Sequence, residues 1–223
     1  MAKVSLVNTV FVFDLDDTLY SEKDFVRSGI SFVRRWLSGR SEVVNLPSLE
    51  CLCINSAEWI EALMKIDEVR KITSKEELLE LYRNHFPDIS LRHCALDLLD
   101  LIKKKSAPIA LITDGRSITQ RNKLKSLNIA EYFDLIVISE EFGSQKPCLE
   151  NFVEVQKRWP LMSYCYIADN TAKDFIAPKA LGWTTIGLLD KGDNIHKQSL
   201  AVDEHKSPDI WVGTFEELIL CHL

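Results

Sequence analysis

The sequence predicts an α/β fold: a doubly wound parallel sheet core with an inserted all-helical segment. Three observations carry this. Short β-rich runs that are apolar on both faces recur along the chain, as in Val10-Phe11-Val12-Phe13 and Pro108-Ile109-Ala110-Leu111-Ile112. Each run stops at a polar turn, and several of these turns lead into stretches with helical spacing of apolar residues. Between Asp14 and Ala107 convincing strands are absent and helical patterns follow one another. That is far more chain than the roughly dozen residues a crossover helix needs.

The first run ends in Asp14-Leu15-Asp16-Asp17. Helical spacing then marks Asp24 to Leu37, Ala57 to Ile72, Lys75 to Phe86 and Cys94 to Lys104. Lys103-Lys104-Lys105 reads as a solvated helix end, where cations suit the dipole. The second strand ends in Thr113-Asp114-Gly115, and Ile118, Leu124 and Leu127 space the helix from Ser117 to Leu127. Leu135 to Ile138 is a third strand, ending at Ser139-Glu140, and Leu149 to Trp159 a further helix. Tyr164 to Ala168 ends at Asp169-Asn170, with a helix from Ala172 to Leu181 stopped by Gly182. Thr184 to Leu189 follows, then a polar loop from Asn194 to Pro208, then Ile210 to Val212 as an edge strand. The expected division is a core of residues 1–21 and 94–223 around an insertion of residues 22–93.

The 223 residues suit one domain with a sizeable insertion, and 46% hydrophobic with 27% charged residues is a globular composition. A formal charge of -6 supplies no global field for nucleic acid or an anionic membrane, so neither is expected as a partner. No segment approaches the ~20 apolar residues of a membrane span, and the N-terminus lacks a signal-peptide pattern. The six cysteines include no Cys-x-x-Cys pair. Cys51, Cys53, Cys165 and Cys221 lie in apolar runs, so free, mostly buried thiols in a reducing cytoplasm are expected. Monomer and homodimer both stay open.

Ligands of open α/β sheets bind beyond the carboxyl ends of the strands. Those ends carry Asp14 and Asp16, then Thr113-Asp114-Gly115, the Ser139 region leading to Lys146, and Asp169 with Asp174. A lone Asp-Leu-Asp is well explained as helix capping, and Thr-Asp-Gly alone is a common turn. The full set, in order, is not explained that way.

The set resembles the haloacid dehalogenase superfamily of phosphohydrolases. Its motifs stand here as Phe13-Asp14-Leu15-Asp16-Asp17-Thr18-Leu19, Ile112-Thr113-Asp114-Gly115, Lys146-Pro147 and Asp169-Asn170-Thr171-Ala172-Lys173-Asp174. The resemblance covers the expected core, from about residue 8 to 22 and from about 94 to 220. It implies a Rossmann-like catalytic core, and the insertion sits where the family places its first-type helical cap. One departure is Ala168, where the family usually has Gly.

The resemblance implies a magnesium-dependent phosphatase for a small phosphorylated metabolite, such as a sugar phosphate or nucleotide, working through an aspartyl-phosphate. Asp14 would be the nucleophile and Asp16 the general acid and base, a role that asks for a pKa near neutrality. Mg²⁺ would be held by Asp14, the backbone carbonyl of Asp16 and Asp169, supported by Asp174 and Asn170. Thr113, the backbone amides of Asp114 and Gly115, and Lys146 would bind phosphate. Asp16 argues against the carbon–halogen dehalogenases of the superfamily. A sugar phosphomutase or a non-catalytic binding module are the alternatives. His85, His93, His196, His205 and His222 show no metal-ligand spacing and read as structural or surface residues. Cys148 reads as an ordinary thiol. Arg116 could face substrate or equally be a solvated first-turn residue, Arg34 and Arg35 are candidate substrate contacts in the insertion, and Trp36 reads as core of the insertion.

Overall fold

A computed structural model describes residues 3–40, 46 and 56–223. Cys51 and Cys53 lie outside the described residues. The elements in order are β1 (Thr9–Phe13), α1 (Glu22–Ser38), α2 (Ser56–Leu63), α3 (Asp67–Ile72), α4 (Lys75–Asn84), α5 (Ala95–Lys104) and β2 (Ile109–Thr113). Then come α6 (Ser117–Ser126), β3 (Leu135–Ile138), α7 (Ser139–Phe142), α8 (Glu150–Arg158) and β4 (Ser163–Ala168). The chain ends with α9 (Ile176–Ala180), β5 (Thr184–Leu188), β6 (Ile210–Val212) and α10 (Phe215–Glu217).

The strands form one six-stranded sheet in the order β3-β2-β1-β4-β5-β6. Every adjacent pair is parallel. Strand alternation splits the apolar residues between two layers. Phe11, Phe13, Ile109, Leu111, Cys165 and Ile167 join one buried cluster, and Val10, Val12, Ala110, Ile112, Tyr166 and Ala168 join the other. A sheet covered on both faces explains why the strands read as continuous apolar runs. The insertion's Val33, Leu37, Trp59, Leu63 and Leu78 belong to the first cluster. Its two ends meet: Tyr20 bridges Leu91, and the Arg92 amide donates to Leu19 at 2.8 Å.

Three expected helices are broken or shorter than their periodicity suggested. The Ala57 to Ile72 pattern is two helices. The first tightens through bonds from Lys65 to Ala62 and Ile66 to Leu63, and Ile66 is extended. Asp67 and Glu68 then open α3, where carboxylates suit the helix dipole. This break keeps Leu63 and Val69 both in the core. The Ala172 to Leu181 pattern is helical only from Ile176, which puts Pro178 in a first turn, where its missing N–H costs nothing. The segment before it is a turn that carries Asp174. The Lys75 to Phe86 helix stops at Asn84, just before the Phe86-Pro87 pair that disfavours helix. Of the described cysteines, Cys165 is buried, Cys94 and Cys221 are half-buried and Cys148 is exposed, all as free thiols, so mostly buried thiols is not what these four show. The Asn194 to Pro208 stretch is largely irregular, with one short 3-10 turn at Glu204–Lys206. Trp36 packs against the core only partly buried, with the Arg40 guanidinium 3.8 Å from its ring centre.

Candidate active site

Parallel strands bring their carboxyl ends to one edge, and β1 lies between β2 and β4. Phe13 is in register with Leu111 and with Ile167, so Asp14 leaves the sheet beside the residues that follow β2 and β4. Its amide donates to the Ile167 carbonyl at 3.0 Å.

Asp14, Asp169 and Asp174 are all buried, and each offers an oxygen within 4.8 Å of the others. One ammonium contacts Asp14 and Asp174 directly, while Lys173, bonded to Asp114, adds its field at Asp14. Lys146 Nζ, from the loop before α8, donates to Asp14 Oδ1 at 2.6 Å and to the Tyr166 hydroxyl at 3.2 Å, and stands 2.7 Å from Asp174 Oδ1. The negative charge therefore exceeds the positive. Burial, opposed by Lys146 and reinforced by Asp174, pushes the Asp14 carboxyl up to about 7. Burial together with Asp174 and Asp14 pushes Asp169 up to about 9. Lys146 is held firmly protonated: burial disfavours its charge, but Asp14 and Asp174 outweigh it.

The cluster suits a hard divalent cation. Its donors are carboxylate oxygens, the ligand type such ions prefer. Among the described residues, Asp174 Oδ1 is buried with the Lys146 ion pair and no hydrogen bond. Thr18 Oγ1 lies 3.4 Å from Asp14 Oδ2 and 3.2 Å from Asp169 Oδ1, yet its single proton serves one acceptor at a time. Asp174 Oδ2 accepts the Asn170 amide at 2.9 Å, and Asn170 Oδ1 accepts the Ala172 amide at 2.9 Å, which fixes the turn carrying both residues. Asn194 Nδ2 donates to Asp169 Oδ2 at 2.7 Å.

Asp16 sits in a different environment. It accepts from Lys123 Nζ at 2.6 Å, from Gln120 Nε2 at 2.8 Å and from the Tyr20 hydroxyl. Burial would raise its carboxyl, but the Lys123 charge and these hydrogen bonds outweigh burial and lower it. The raised pKa that a general acid asks for is therefore not found at Asp16 in this arrangement.

Thr113 ends β2 fully buried, and Gln120 Nε2 donates to its Oγ1 at 2.6 Å. Asp114 accepts the Lys146 amide at 3.1 Å and Lys173 Nζ at 2.9 Å. Gly115 differs from expectation: its amide donates to Ser139 Oγ at 2.9 Å. Its φ of 135° is a left-handed value, and a Cβ there would meet Gln120 Cδ at 3.2 Å. Glycine is required here so that Gln120 can pass across it to Asp16 and Thr113.

Two cavities adjoin at these residues. A small one of about 110 Å³ is lined by Asp14, Asp16, Asp114, Asp169, Asn170 and Lys173, among others. It shares Asp16, Glu22, Asp114 and His196 with a cleft of about 920 Å³. Phe25 and Val26 of α1, Tyr82 and Arg83 near the end of α4, and Arg116, Gln120 and Lys123 around α6 also line that cleft. Arg116 lines the cleft, where it pairs with Glu80 at 2.8 Å. Arg34, Arg35 and Trp36 do not line it, because they sit toward the other end of α1 from Glu22 and Phe25. His196 is exposed at both cavities, whereas His85 and His222 are buried and His93 and His205 exposed.

Sequence reasoning missed Thr18, Tyr20, Gln120, Lys123 and Asn194. A signal existed for two of them: Gln120, Lys123, Leu124 and Leu127 follow helical spacing, which puts polar residues on the buried face of α6.

The model of the haloacid dehalogenase-like hydrolase family matches residues 11–188. Glyceraldehyde 3-phosphate phosphatase of Methanocaldococcus jannaschii is 30% identical, over 93% of this chain and 94% of that protein. The pyrimidine 5'-nucleotidase YjjG of Escherichia coli is 45% identical over 57% of this chain and 55% of that protein. The HAD-hydrolase YfnB of Bacillus subtilis, solved bound to magnesium, shares the fold with a TM-score of 0.67 at 18% identity, covering 94% of this chain and 96% of that one. With the motif residues gathered at one sheet edge and that family's model spanning most of the sheet, this chain belongs to the haloacid dehalogenase-like hydrolases.

Proposed function

We propose that the chain is a magnesium-dependent phosphatase for a small phosphorylated metabolite, acting as a phosphoric monoester hydrolase in the cytoplasm. The observation that carries the reading is the Asp14–Lys146–Asp174–Asp169 cluster, buried at the sheet edge with more negative charge than its ammonium balances. The phosphatase names of relatives such as the M. jannaschii protein support it.

Asp14, Asp169 and the Asp16 carbonyl would hold Mg²⁺, with Asp174 and Asn170 fixing the surrounding turn. The ion, when bound, would neutralise phosphate and carboxylate so that the two can approach. Asp14 Oδ attacks phosphorus and the ester P–O bond breaks, leaving an aspartyl-phosphate. Asp16, which rests ionised beside Lys123, would first take up a proton from solvent and then give it to the departing alkoxide. It then takes one from the water whose oxygen attacks phosphorus, which frees Asp14 and inorganic phosphate. The ionised resting state of Asp16 suits that second step. Lys146 and the Thr113 hydroxyl orient the phosphate, as does the Asp114 amide; the Gly115 amide would join them only by leaving Ser139. Residues 22–93 would form the helical cap of the first type, roofing the cleft and excluding water.

The test is inorganic phosphate release from sugar phosphates, nucleotides and other small phosphoesters, by wild type and Asp14→Asn, with Mg²⁺ or with EDTA. Release by wild type in Mg²⁺ alone is expected. Equal release by Asp14→Asn overturns the nucleophile, and an isomerised sugar phosphate without released phosphate overturns the hydrolase.

A further inference from the structure

Lys123 is an unusual residue for a cleft wall. It sits on α6 with its side chain 4% exposed, and its Nζ lies 4.3 Å over the Phe25 ring. Both residues line the large cleft. An ammonium has three donors. Among the described residues, Nζ makes one hydrogen bond, to Asp16 Oδ1 at 2.6 Å, and its one ion pair is with the same carboxylate. Burying an ammonium with donors unused is costly unless something in the cleft accepts them.

Glu22 stands on the same cleft and also lines the small cavity. Its backbone amide donates to Asp17 Oδ1 at 2.8 Å, but its carboxylate has no hydrogen-bond partner among the described residues. The wall beyond the leaving-group position thus offers spare donors from Lys123 beside a spare acceptor on Glu22. It does not offer spare positive charge, because Asp16 already matches Lys123. A carboxylate arriving there would meet the Asp16 carboxylate at close quarters, beside a Glu22 carboxyl that burial and Asp16 already push up to about 8. A hydroxyl both accepts and donates and carries no charge, so it fits.

Resting on the reading of Asp16 as the residue facing the leaving oxygen, we infer that Lys123 and Glu22 recognise a hydroxyl on the carbon next to the ester carbon. The substrate class is then the phosphate esters of polyols and hydroxyaldehydes, rather than simple alkyl phosphates or phosphorylated acids. Lys123 is a specificity-determining residue for that neighbouring oxygen. The hydrogen bond it donates to Asp16 places it next to the leaving oxygen, where a vicinal group must lie.

The experiment compares glycerol 1-phosphate, propyl phosphate and 2-phosphoglycolate, which share the phosphate, with 3-hydroxypropyl phosphate as the control for the terminal hydroxyl that glycerol 1-phosphate also carries. kcat/KM is measured in Mg²⁺ for wild type, Lys123→Met and Lys123→Gln. Binding of the same esters is measured by calorimetry on Asp14→Asn, with and without Lys123→Met, so that a result does not depend on turnover. Wild type should prefer glycerol 1-phosphate to propyl phosphate by about 10- to 100-fold, the effect of a hydrogen bond to a charged group. Lys123→Met should bring that ratio near one, and Lys123→Gln, which keeps a donor, should restore part of it. Circular dichroism checks that both variants fold. Equal losses on both esters, with the ratio unchanged, would mean that Lys123 only props Asp16 and would overturn the inference. Preference for 2-phosphoglycolate that depends on Lys123 would overturn it in favour of an anion. Release of phosphate with no ratio in wild type refutes the inference alone. Absence of release from every ester refutes the phosphatase reading, while the calorimetric ratio still decides the inference.

Discussion

Replacing Lys146 by methionine removes the one cation that bridges Asp14 and Asp174 while keeping most of the side-chain volume. The Lys146 side chain is 1% exposed, and its partners Asp14 and Asp174 are 7% and 0% exposed, so water cannot take its place cheaply. Breaking a buried pair by removing one partner typically costs about 3–5 kcal/mol. That is a large part of the roughly 5–15 kcal/mol that holds a domain folded. The cost has a pH signature. The carboxylates left behind escape part of it by taking up protons, so their folded pKa values rise further above the unfolded ones. A raised carboxylate pKa destabilises the fold above the unfolded value of about 4 and is relieved as pH falls. The deficit relative to wild type should therefore be largest near pH 8 and shrink toward pH 5. A divalent cation binding only the folded carboxylates should recover part of it. The assay is urea denaturation of both proteins at pH 5 and pH 8, with EDTA or with Mg²⁺. Equal stability at pH 8 in EDTA, or a deficit that grows on acidification, would refute the charge-surplus account of the cluster.

His85 should make the fold sensitive to mild acid. It is buried against Phe25 and Phe32, its Nδ1–H donates to the Tyr82 carbonyl, and Nε2 faces Ser28 Oγ at 3.2 Å. Burial lowers its pKa, so the unfolded chain binds the proton first and stability falls as pH drops below about 6.5. His85→Gln should flatten the pH 7.5 to 5.5 loss of urea midpoint, and an unchanged slope would argue against it. Gly29→Ala should destabilise although alanine favours helix by about 1 kcal/mol. A Cβ there would lie 2.5 Å from Tyr82 Cε2 and 3.0 Å from His85 Cε1, in a packed aromatic group that resists moving. Overpacking of this kind costs about 1–3 kcal/mol, so the urea midpoint should fall; a midpoint that stays level or rises would show that α1 and α4 yield easily.

The sheet was legible because a strand covered on both faces must be apolar throughout, and such a run has to end where polar residues begin. The same rule exposed the candidate site residues, since Asp14, Thr113 and Asp169 are the first or last polar positions at strand ends. Parallel pairing then leaves little freedom about where they meet. Helix limits were less legible, because periodicity continues across a break: Ile60, Leu63 and Val69 keep facing the core although the helix stops between them. What only the tertiary structure decided is the charge around each carboxylate. Lys123 is 107 residues from Asp16, and Lys146 is 132 from Asp14. No local pattern says which ammonium reaches which acid. Helical spacing assigns Gln120 and Lys123 to a buried face, but the partner that makes such burial tolerable arrives from another part of the chain. The same long-range packing separates the two aspartates of one short motif, raising Asp14 and lowering Asp16 although they stand two residues apart.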